Sequence, residues 1–127
     1  MTSNFYFITG LLSLGYTIFA GAKYYSLTGL GLITSEKAKE MIKNKTINKI
    51  IDVRTNFEYN LGNLNGSINI PVNQINQENL NKFNINKNDN ILVYCNTGQR
   101  ARYAVEKLRD LGYNNISYIE GSHLTLL

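Results

Sequence analysis

Ile91-Leu92-Val93-Tyr94-Cys95-Asn96-Thr97-Gly98-Gln99-Arg100 joins two periodicities in one short stretch. Ile91 to Tyr94 is an apolar run of strand type, and from Arg100 onward Ala101, Ala104, Val105, Leu108 and Leu111 recur at helical spacing. The chain's single cysteine, Cys95, therefore falls at the C-terminal end of a strand, where the backbone turns into a helix. A thiol placed there faces backbone N–H groups and the positive end of a helix dipole, features that lower a thiol's pKa and cradle an anion. Asn96, Thr97, Gly98, Gln99 and Arg100 are the candidate anion-binding loop, with Gly98 free to adopt the backbone an inward-facing ring of amides requires. Arg100 puts a cation at the helix end that repels it, so a bound anion or a carboxylate partner is expected beside it. The competing reading is a buried free cysteine that merely fills a core.

Outward from this junction, elements of both kinds alternate. Thr34 or Ser35 can cap a helix from Glu36 to about Asn44, and Ile50 to Val53 reads as a buried strand. A brief helix is expected from Asn56 to Leu61, stopped by Gly62, then a strand from Ser67 to Ile70 closed by Pro71. Glu78 to Phe83 reads as a short helix, Arg100 to Leu111 as the longest, and Asn115 to Ile119 as a last strand after Gly112. Strands alternating with helices predict an α/β fold with a parallel sheet covered on both faces. In such sheets, sites lie beyond the carboxyl ends of the strands, which is where Cys95 falls.

At 127 residues the chain suffices for one domain with a core, and its 43% apolar and 17% charged content is that of a globular protein. One cysteine and one histidine exclude a disulfide framework, a C-x-x-C redox pair and a thiolate or zinc cluster, so no metal and no cofactor are expected. The net charge of +4 is spread out, densest at Lys37, Lys39, Lys43, Lys45 and Lys49, which reads as a solvated helix face rather than a nucleic-acid footprint. The abundance of Asn, Ile, Lys and Tyr follows AT-rich codons rather than function.

The first 22 residues carry no charged side chain. Residues 1–25 are expected to form a hydrophobic segment, a membrane anchor spanning Phe5 to Ala22 with aromatics at both ends. Residues 26–31 read as a linker and 32–127 as the globular domain. Positive charge lies on the C-terminal side, from Lys23 onward, which places the domain on the cytoplasmic face. The alternative is a signal peptide cleaved near Ala22, with export of the domain; a helix packed on the domain is the third reading.

Tyr94-Cys95-Asn96-Thr97-Gly98-Gln99-Arg100-Ala101 resembles the Cys-x-x-Gly-x-Arg active loop of the rhodanese (sulfurtransferase) family. Asp52-Val53-Arg54, followed by Glu58-Tyr59 and Gly62, resembles that family's upstream motif, and Gly66-Ser67-Ile68-Asn69-Ile70-Pro71 its Gly-Ala-x-Asn-Ile-Pro. Leu108-x2-Leu111-Gly112-Tyr113 and Glu120-Gly121 match its closing helix and strand, so the resemblance runs from about Ile33 to the end. It implies about five parallel strands flanked by helices, and a persulfide mechanism. Cys95 would take sulfane sulfur from a small donor such as thiosulfate and pass it to a thiophilic acceptor, cyanide or a thiol. Asp52, Arg54 and Glu58 would form a supporting shell, with Arg54 and Glu58 as a nearby ion pair and Tyr94 as strand packing. The stretch Gly62-Asn63-Leu64-Asn65-Gly66-Ser67 lacks the family's usual His and Pro, which bears on local rigidity. The closing Gly121 to Leu127 leaves a final helix short or absent, with His123 at the surface and without a role.

Three functions are weighed. A membrane-anchored sulfurtransferase is preferred. A phosphatase or arsenate reductase of the same fold is disfavoured, because related phosphatases carry one more loop residue than the four between Cys95 and Arg100, and no second cysteine is present. A binding or scaffolding module that tethers a partner at a membrane is the remaining reading. The oligomeric state is left open.

Overall fold

The computed structural model describes Ser3–Asn4, Tyr6–Ile8 and residues 30–127, and the chain divides into two units between Leu30 and Gly31. In the first unit, Ser3–Asn4 and Tyr6–Ile8 are short strands. This differs from the spanning helix expected from Phe5, and Tyr, Phe and Ile are residues that favour strands. The rest of that segment, to Ala22, lies outside the described residues. Among the described residues, no helix is long and apolar enough to cross a membrane.

The second unit alternates helices and strands: α1 (Ser35–Lys43), β1 (Lys49–Asp52), α2 (Asn56–Leu61), β2 (Ser67–Asn69), α3 (Gln77–Lys82), β3 (Ile91–Tyr94), α4 (Gln99–Asp110) and β4 (Ile116–Tyr118). Short 3-10 turns cover Val72–Gln74 and, in place of a final helix, His123–Leu126. Thr34 caps α1, its hydroxyl accepting from the Lys37 N–H at 3.0 Å. The strands are all parallel, in the order β2-β1-β3-β4, and the register sets Asp52 beside both Asn69 and Tyr94.

The sheet has four strands, not the five expected. A fifth is reduced to a single parallel bridge between Leu32 and Tyr118. Gly31, at φ +90°, and the α1 cap at Thr34 leave room for only two backbone bonds, Ile33 N–H to Tyr118 at 2.9 Å and Tyr118 N–H to Gly31 at 2.8 Å.

The pleat sorts the central strands onto two cores. Ile51, Val53, Ile91, Val93 and Cys95 face α3 and α4, packing against Leu80, Ala101, Ala104, Val105 and Leu108. Leu92 and Tyr94 face the opposite side, with Ala38 of α1, Leu64, Ile119 and Leu126. Both faces are covered, which is why β3 is apolar throughout.

Candidate active site

From β1 the chain moves one way, through α2 to β2; from β3 it moves the other way, through α4 to β4. Connections thus reverse between β1 and β3, and a crevice opens beyond their carboxyl ends. Asp52 ends β1, and Cys95 follows β3 directly.

Cys95 is 1% exposed. Its Sγ accepts the Gly98 N–H at 3.1 Å and the Ala101 N–H at 3.4 Å. Ala101 lies in the first turn of α4, whose N-terminal N–H groups have no partner inside the helix, and the Gly98 cap supplies no side-chain bond. The sulfur therefore serves as the helix's cap, and negative charge developing on it is met by backbone donors. Gly98 makes this possible at φ +95°, where a Cβ would lie 2.8 Å from the Glu120 Cα. Gly98→Ala is accordingly expected to cost about 1–3 kcal/mol from left-handed backbone strain. Thermal unfolding of the two chains reads that difference.

Arg100 and Glu58 form a two-pronged pair, Nη1 to Oε1 at 2.7 Å and Nη2 to Oε2 at 3.1 Å. This is the carboxylate that a cation at a helix start calls for. Glu58 also closes the capping box of α2 with Thr55, accepting its N–H at 2.9 Å, and accepts from Asn96 Nδ2 at 3.2 Å. The Arg100 guanidinium, with the Thr55 N–H second, pulls the Glu58 carboxyl down from 4.5 to about 2. A carboxyl depressed in the folded state adds stability above its ordinary pKa and loses it as pH falls through the folded value. Stability is therefore expected to drop by about 1–2 kcal/mol between pH 4.5 and 2, the figure discounted for the partial exposure of the pair. Urea midpoints measured across that range check it, and Glu58→Gln should flatten this part of the pH profile.

Arg54 does not pair with Glu58 as expected. Its Nη2 meets Asp52 Oδ2 at 2.6 Å, its Nε lies 3.0 Å from Oδ1, and Nη2 also donates to the Gly62 carbonyl at 2.6 Å. Asp52 is fully buried and Arg54 is 5% exposed, so the nearest carboxylate in a low dielectric wins, while the capping box holds Glu58 toward Arg100. The Asp52 carboxylate raises the already high pKa of Arg54 further. Asn69 Nδ2 pins the same turn, donating to the Asp52 carbonyl at 3.1 Å and the Arg54 carbonyl at 3.0 Å.

The crevice thus brings together Cys95, Gly98, Arg100, Asn96 and Glu58, with Asp52 and Arg54 buried at the end of β1. Thr97 and Gln99 are exposed. Tyr94 packs inside, its hydroxyl accepting the Leu64 N–H at 3.0 Å, and burial pushes its pKa up. A cavity of about 340 Å³ adjoins the loop, lined by Arg54, Glu58, Asn96, Leu61, Leu124 and His123, among others. Two residues join the site beyond those expected: Asn69, which pins the turn after β1, and His123, which lines the cavity. Asn69 was legible through its place in that motif; His123 was not, because it reaches the crevice only through the closing 3-10 turn.

The fold is that of a sulfurtransferase-type domain, and a rhodanese-like domain model matches residues 34–123. The chain belongs to the rhodanese-like family. It is 33% identical over 117 residues to a putative mitochondrial thiosulfate sulfurtransferase of Schizosaccharomyces pombe, covering 80% of this chain and 82% of that protein. It is 35% identical over 71 residues to thiosulfate sulfurtransferase PspE of Escherichia coli, covering 56% and 67%. A tRNA uridine(34) hydroxylase of Buchnera aphidicola is 27% identical over 92 residues, but the match spans only 29% of that protein's length. Among solved structures, a rhodanese-like domain protein from Staphylococcus aureus is 30% identical at TM-score 0.66, covering 77% of this chain and 92% of that one. A human single-domain sulfurtransferase, at 20% identity and TM-score 0.63, shares the fold.

Proposed function

We propose that this chain is a sulfurtransferase that carries one sulfane sulfur on Cys95, taking it from thiosulfate or a similar donor. The observation that carries the reading is the Cys95 sulfur seated under the Gly98 and Ala101 N–H groups, at the start of α4. In the first half-reaction the Cys95 thiolate attacks the outer sulfur of thiosulfate. A Cys95–sulfur bond forms, the sulfur–sulfur bond of the donor breaks, and sulfite leaves with the electron pair. In the second, cyanide or a thiolate attacks the outer sulfur of the persulfide, and Cys95 leaves as thiolate. The loop amides face the charge in both steps. Arg100 and Glu58 hold the loop, and Arg54 with Asp52 supports its base.

The test is turnover of thiosulfate and cyanide to thiocyanate by the full chain, with a Cys95 adduct of about 32 Da, the mass of one sulfur, after thiosulfate alone. Neither adduct nor turnover, together with hydrolysis of para-nitrophenyl phosphate, would overturn the reading in favour of a phosphatase. The uncharged stretch from Phe5 to Ala22 supports anchoring of the domain at a membrane, and release of the full chain by alkaline carbonate is the outcome against that part.

A further inference from the structure

The cavity beside the loop is walled by Asn96, the residue after the nucleophile, and by Leu61 and Leu124, which are 75% and 64% exposed on its outer side. Its charged groups are already neutralised within the protein. Arg54 is paired with Asp52, and Glu58 with Arg100. The imidazole of His123 completes the wall, and its Nδ1 is buried without a hydrogen-bond partner among the described residues. Burial, then the field of Arg54, lower the His123 pKa, so the ring adds no positive charge at neutral pH. A ligand here meets apolar walls, neutral polar groups and no unpaired charge. The cavity is open on its outer side, so an anion would be only partly desolvated there, yet it gains no unpaired counter-ion in exchange, while an uncharged apolar body covers Leu61 and Leu124. The volume, about 340 Å³, is that of a small-molecule pocket.

Resting on the sulfurtransferase reading, we propose that this cavity is the acceptor subsite and that it selects a small thiol with an uncharged, apolar body. The anionic donor is met at the loop amides and the acceptor in the cavity, so the two substrates differ in the chemistry that holds them. The incoming thiol loses its proton to solvent. Its sulfur attacks the outer sulfur of the Cys95 persulfide, a sulfur–sulfur bond to the acceptor forms, the bond to Cys95 breaks, and Cys95 keeps the electron pair as thiolate. No oxidant or reductant is consumed.

The test loads the full chain with thiosulfate, removes the donor, and follows loss of the Cys95 adduct by mass spectrometry. The probes are 1-butanethiol and 3-mercaptopropionate, thiols of similar acidity that differ in charge. Butanethiol is expected to discharge the adduct about tenfold faster or more, because the carboxylate finds no partner in the cavity. Leu124→Lys supplies that partner and is expected to collapse the ratio toward unity. Equal rates in the native chain, or an unchanged ratio in Leu124→Lys, would overturn the proposal. Occupancy is read independently of sulfur loading through the chain's single histidine. The His123 ring resonances should shift on adding butanethiol to the unloaded chain and stay put with 3-mercaptopropionate; failure of butanethiol to move them also overturns it. If no adduct forms while the resonances shift selectively, the sulfurtransferase reading and with it the acceptor role fail, while the preference of the cavity for an uncharged, apolar thiol stands.

Discussion

Cys95→Ser is expected to abolish thiocyanate formation, by about a thousandfold or more, while leaving the fold intact. Serine keeps an acceptor for the Gly98 and Ala101 N–H groups, so the start of α4 remains capped and the buried core loses little volume. An alcohol of ordinary acidity neither attacks sulfane sulfur nor leaves from it readily, so no adduct forms and no second half-reaction follows. Paired measurements decide the point: turnover gone, with a urea midpoint displaced by no more than about 1 kcal/mol in free energy. Retention of more than a tenth of the turnover would mean that sulfur passes from donor to acceptor without being held at residue 95.

Asp52→Asn is expected to be the most damaging single change to stability, costing about 3–5 kcal/mol. The Arg54 guanidinium would be left buried with its main counter-charge removed, and an amide can satisfy only part of the fork that now spans Nε and Nη2. A domain of this size has roughly 5–15 kcal/mol in hand, so the loss takes a large share of it. The urea midpoint should fall by about 2 M, given the slopes usual for small proteins. Replacing both partners, Asp52→Leu with Arg54→Met, should recover much of this, because no buried charge remains. A double variant no more stable than Asp52→Asn alone would show that the Gly62 carbonyl, the other acceptor for Arg54, is the contact that matters.

The periodicity around Cys95 sufficed to place the central strand, the longest helix and the thiol between them, because a strand buried on both faces reads as an unbroken apolar run. Gly98 was legible for the same local reason: a tight turn into a helix demands an unrestricted backbone there. Partner choice among charges was not legible. Arg54 and Arg100 each have two acidic candidates within a few residues of the crevice, and sequence spacing says nothing about which is buried. The capping box at Thr55 holds Glu58 at the start of α2, beside Arg100, while Asp52 at the end of β1 is left to Arg54. The missing fifth strand is similar: its apolar residues are present, but Gly31 and Thr34 bracket it so closely that only one bridge forms. His123 joins the crevice through a turn with no periodic pattern to announce it.

Glu58 bears on how the proposed sulfur transfer is lost when the domain opens. One carboxylate ties the start of α2 to the start of α4, across a separation of 42 residues, so the two sides of the crevice are latched at its mouth as well as paired along the sheet beneath it. The cradle for the sulfur is consequently a property of the assembled domain and of neither half. Partial opening of either side unlatches it before the sheet comes apart. Sulfur transfer should then vanish at or slightly ahead of the main denaturation step, making turnover a sensitive reporter of the earliest local opening.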